Sequence, residues 1–134
     1  MLDHVLESAF VAVLQGNPLL TGTCFFTSHN SDEHALPAVT LSSRSEPLAG
    51  SCEVFRSELS VMVESDAHDT TPEQHAALVE KVRTRLANKA AVGAAINAED
   101  GIHLYGYAFT SSSLDVDGSR FSTTLTLRAG YGIP

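Results

Sequence analysis

Six histidines and two cysteines are the residues of this 134-residue chain best suited to holding a metal or arming a nucleophile. His29 and His34 flank Asp32-Glu33, and His68 and His75 flank the entry to a helix. A zinc site wants three or four ligands at tight spacing, typically with Cys or a His-x-x-x-His pair on one helix face. Spacings of five in a polar loop and seven across a cap suit solvated histidines instead, so no metal ligand is assigned. Cys52 as a nucleophile would need a His base and a site that favours the thiolate. Its place at the start of a strand argues for burial, and Cys24 and Cys52 read as two buried thiols, with a disulfide as the alternative. Asp115-Val116-Asp117-Gly118 is a fragment of a calcium loop without the remaining ligands, and Glu99-Asp100 has a turn context. No glycine-rich phosphate loop opens a helix, and Ala49-Gly50-Ser51-Cys52 lacks the second glycine of a nucleophile elbow. No constellation specifies a reaction. The expectation is a protein that is not an enzyme, with no catalytic, cofactor-binding or metal-ligating residues.

The elements that would position any site centre on Cys52–Leu86. From Glu53 to Glu64 the residues alternate, with Phe55, Leu59, Val61 and Val63 on one side and Ser57 as the polar exception. Val54, Arg56, Glu58, Ser60, Met62 and Glu64 fall on the other. A period of two with one apolar side predicts a strand with one face on a core. Thr71-Pro72-Glu73-Gln74 then starts a helix: Thr71 caps, Pro72 suits the first helical position, and Gln74 sits three residues on. Leu78, Val79, Val82 and Leu86 repeat at helical spacing. Laying the helix on the strand hides both stripes. Upstream, Leu2, Val5, Leu6, Ala9, Phe10, Val13 and Leu14 predict a helix over 2–15, stopped by Gly16-Asn17-Pro18. Short strands are expected at 23–27 and from Leu36 to Leu41, and a short helix within 89–98. Residues 28–35 and 44–51 read as loops, the second projecting beyond the sheet as an arm.

The whole is an α+β domain spanning 1–134, with a mixed, mainly antiparallel sheet of four to five strands against two main helices in the order α-β-β-β-α-β-β. Sixteen acids against eight bases give a net charge of −8, with the bases scattered singly. Nucleic-acid binding, which needs clustered Lys and Arg, is disfavoured. Asp3, His4 and Glu7 interrupt the N-terminus, and Ala9–Leu14 is too short to cross a bilayer, so neither export nor membrane insertion is expected.

Asp117-Gly118 is a hairpin signal because both central residues of such a turn need positive φ. A turn centred there pairs Leu104 with Tyr131, Ala108 with Leu127, Thr110 with Leu125 and Leu114 with Phe121 on one face. On the other, Tyr107 meets Arg128, Phe109 meets Thr126 and Asp115 meets Arg120. That second face, carrying Tyr105, Tyr107, Phe109 and a Ser/Thr run, reads as a surface for another protein. Residues 130–134, with Tyr131 and Ile133, read as an extended apolar tail able to dock on a neighbour.

This order of elements resembles the tail-terminator or tail-completion proteins of long-tailed bacteriophages, the group of the lambda-type minor tail protein U. The resemblance is carried by the strand Leu36-Pro37-Ala38-Val39-Thr40-Leu41 after a polar loop, the strand Phe55–Val63 and the helix Pro72–Leu86. It covers most of the chain as pattern and order, without a diagnostic motif. It implies a virion tail or neck protein, assembled in the host cytoplasm. Such a protein forms a ring, commonly a hexamer, that caps the tail tube, fixes its length and presents a docking face to the head connector. Its partners would be its own copies, the tube protein and the connector or head-closure protein, with DNA passing an acidic lumen unbound. Contact residues would come from Glu46, Pro47 and Leu48 on the arm, Tyr105, Tyr107 and Phe109 on the hairpin, and Tyr131 and Ile133 on the tail. Two alternatives stand beside this: a head-closure or neck adaptor of the same virion region, and a small α+β metal-dependent enzyme or ligand-binding domain.

Overall fold

The computed structural model describes residues 2–16, 23–27, 37–47, 54–97, 103–117 and 119–132. In chain order these form α1 (Leu2–Gln15), β1 (Cys24–Thr27), β2 (Ala38–Pro47), β3 (Val54–Asp66), α2 (Pro72–Leu86), α3 (Lys89–Asn97), β4 (His103–Asp117) and β5 (Arg120–Gly132). The strands make one sheet in the order β1-β2-β3-β5-β4, antiparallel throughout except for the parallel β1–β2 edge. The expected α+β architecture is the observed one. Because β5 inserts between β3 and β4, those two strands run parallel and need a crossover, which α2 and α3 supply.

All three helices lie on one face. α1 packs on β1 and β2, α2 on β3 and β5, and α3 on β4. Leu6, Ala9, Phe10, Val13 and Leu14 bury the stripe of α1 against Val39, Leu41, Leu59, Val61, Leu125 and Leu127 of the sheet. Each Val, Leu or Phe side chain among them contributes about 1.5–3 kcal/mol on leaving water. Helix α2 starts as its sequence dictates. Thr71 Oγ1 accepts from the Gln74 N–H at 3.2 Å, and Gln74 Oε1 accepts from the Thr71 N–H at 2.9 Å, with Pro72 first in the helix. Arg85 ties α2 to α1, its Nε donating to the Val13 carbonyl at 2.8 Å.

Three expectations need correction. The segment from Arg44 to Pro47 is strand, paired with Phe55–Glu58, and so does not form an arm. Its inward positions, Ser45 opposite Ser57 and then Ala129, are small, which left no apolar alternation to read. The hairpin register also differs: Asp117 faces Arg120, Val116 faces Phe121 and Leu114 faces Thr123. One-residue slips at Thr110 and Tyr105 then shift the pairing twice, so that Leu104 does meet Tyr131. Finally, Gly130-Tyr131-Gly132 belongs to an interior strand and is not a tail.

Candidate interaction surface

The bulge at Thr110 reverses which face each β4 side chain takes. Tyr107 therefore points under the helices, where it is buried; its hydroxyl donates to the Leu86 carbonyl at the end of α2. Its ring meets Phe10 edge-on at 6.0 Å, and the Lys89 ammonium stands 5.5 Å from its centre. Burial pushes the Tyr107 phenol above its ordinary pKa. Phe109 is half-buried beneath the Arg83 guanidinium, 5.6 Å from the ring centre. Tyr131 is fully buried and stacks on Phe55 at 5.4 Å. These three aromatics hold the chain together from within and are withdrawn from the outer face. Tyr105 stays outside, 64% exposed, its ring lying over Gly132. Glu46 is exposed and paired with Arg56, whose guanidinium holds its carboxyl below the ordinary range. Pro47 closes β2 opposite Phe55, while Leu48 and Ile133 lie outside the described residues.

The histidines are likewise redistributed. His68 is exposed, as expected, but His75 is buried. Its Nδ1 lies 2.8 Å from Ser65 Oγ and its Nε2 2.8 Å from Thr123 Oγ1, bridging α2 to β3 and β5. Desolvation lowers its pKa. It is a core histidine satisfied by two hydroxyls, a role invisible in a spacing of seven. His29, His34 and Cys52 lie outside the described residues. Among the described residues no three His, Cys, Asp or Glu side chains gather closely enough to hold a metal ion, and no helix is long and apolar enough to cross a membrane.

The sheet face opposite the helices is lined by polar side chains in cross-strand rows. Ser42, Ser60, Thr126 and Ser111 form one row, and Thr40, Met62, Thr124 and Ser113 the next. This uncharged band separates a patch of arginines and glutamates at the β2–β3 end from Glu64 and Arg120, which pair at 2.8 Å, at the other. On β4 every side chain from Ser111 to Val116 is exposed: Ser111, Ser113 and Asp115 on this face, and Leu114 at 63% and Val116 at 60% on the helix side, opposite Thr123 and Phe121. A long edge strand with exposed apolar residues and without Lys or Pro invites another chain. The alternate positions of β3 signalled this face in the sequence. The β4 half of it was assigned to the wrong residues because single-residue bulges leave no compositional trace.

No protein-family model matches the chain, and no curated protein is similar to it in sequence. Its fold does match a solved structure: a chain from the virion of a native gene transfer agent particle superposes with a TM-score of 0.63 at 16% identity. The likeness covers 95% of this chain and 94% of that one, so the fold is shared over practically the whole length.

Proposed function

We propose that this chain is a structural virion protein, and within that class a tail terminator. It forms a closed ring, a hexamer, that caps the tail tube, sets its length and offers the head connector a docking surface. The observation carrying this reading is the end-to-end fold likeness to a gene transfer agent virion chain. The surface supports it. One face of the sheet is sealed by helices, and the other presents Ser, Thr and paired charges that no part of the described chain covers. A polar face of this kind suits contacts that form late and must not aggregate beforehand. Head-to-tail copies close into a ring when their rotation closes. The role is assembly and not catalysis, in the tail or neck of the particle.

Negative-stain imaging of the purified protein, alone and mixed with tail tubes, tests the proposal. Rings seated on tube ends, with tubes of uniform length, are expected. Rings that bind only the head-side connector would make it a neck adaptor. A strict monomer that ignores tubes would overturn the reading.

A further inference from the structure

At the β2–β3 end of the open face the charges form a lattice with one place missing. In one row Arg44 lies opposite Glu58, and Glu58 opposite Arg128. In the next, Glu46 lies opposite Arg56, whose other neighbour is Gly130. Signs alternate across the strands and along them: Arg44 then Glu46 on β2, Arg56 then Glu58 on β3. The pattern would place an acid at 130, beside Arg56 and two residues from Arg128 on the same face. A glycine stands there, with Gly106 opposite it on β4. Beyond its chain neighbours neither has any atom within 4 Å of where a Cβ would stand, and neither has a φ in the left-handed region, so backbone geometry does not demand glycine at either position. Gly132 differs, since a Cβ there would come within 2.5 Å of the Tyr105 hydroxyl. The outcome is a notch floored by bare backbone at 130 and 106, rimmed by Arg56, Arg128 and Tyr105. It adjoins a shallow groove of about 350 Å³ lined by Arg44, Glu46, Arg56, Glu58 and Arg128.

We propose that a second copy of this chain fills the missing place, inserting an acidic side chain from the far end of its own sheet. At this end Arg44, Arg56 and Arg128 outnumber Glu46 and Glu58, leaving one positive charge in excess in a chain with sixteen acids against eight bases. The far end is acidic: Asp69 and Glu73 are exposed around the turn from β3 into α2. There Asp66 is engaged by the His68 N–H, and Glu64 by Arg120. An end with an arginine in excess meeting an acidic end is a heterologous contact, the kind a ring repeats, with register fixed by charge. The inference rests on the ring reading above and names the groups that would join the copies.

Gly130→Glu supplies the missing acid from within. Its Cβ enters open space, so the far-ultraviolet circular dichroism and melting temperature are expected to match wild type, while self-association measured by sedimentation velocity weakens by about tenfold or more. Arg128→Glu should do the same, and adding Asp69→Arg and Glu73→Arg to it should restore assembly. Folded Gly130→Glu that associates like wild type would overturn the inference and leave the ring standing. Loss of tube binding with self-association intact would also overturn it, assigning the notch to a different protein. Wild-type chains that never associate, with or without tubes, would overturn both.

Discussion

Two neighbours on β5 face opposite worlds. Leu127 is fully buried beneath the helices, whereas Thr126 looks out across the open face between Ser60 and Ser111. The first side chain stabilises the monomer by leaving water. The second keeps water on a surface that the monomer does not use. One sheet thus carries two programmes on alternate residues, and breaking them separately tells them apart. Leu127→Ala removes a fully buried side chain and should lower unfolding free energy by about 2–5 kcal/mol in urea titration. Thr126→Ala should change it by no more than about 0.5 kcal/mol, any larger effect appearing in assembly.

The same contrast runs along β4. Tyr107 is clamped by Leu86, Lys89 and Phe10, while the residues from Ser111 to Val116 stand clear of the helices. Tyr107→Phe should cost about 1 kcal/mol, since it leaves the Leu86 carbonyl without its partner in a buried place. This would show as a lowered urea midpoint with an unchanged slope.

A smaller effect belongs to His75, at the mouth of α2. His75, desolvated, resists protonation in the folded chain, whereas the unfolded chain takes up that proton near pH 6.5. A group with a depressed basic pKa binds more protons unfolded. Its contribution is therefore complete above pH 6.5, declines as pH falls through that value, and levels off below the folded pKa. The urea midpoint should drop between pH 7.5 and 5.5, and His75→Gln should flatten that slope.

Much of the covered side was legible in the sequence. The α1 stripe, the alternation of β3 and the Thr71–Gln74 box are local patterns set by helix and strand geometry, and each is found where it was expected. What could not be read depends on partners distant in sequence. The bulges at Tyr105 and Thr110 are set by how β4 lies on β5, and the one at Thr110 turns Tyr107 and Phe109 inward although simple alternation from the turn sends them out. Ser57, by contrast, is fully buried where its alternation with Phe55 and Leu59 puts it, on the core face despite its polarity. Tyr131, last but one of the described residues, reads as part of a tail because glycines flank it. Those glycines lie on the open face, and Tyr131 itself is the largest fully buried side chain among the described residues.

In the proposed ring the open face is the one that meets neighbouring copies. Hydroxyl-radical footprinting of the isolated protein and of assembled particles tests this directly, because Met62 and Tyr105 are exposed, reactive and on or beside that face. Both should become protected on assembly, while exposed residues on the outer side of α2, such as Lys81, keep their reactivity. Unchanged Met62 and Tyr105 with newly protected α2 would contradict the account.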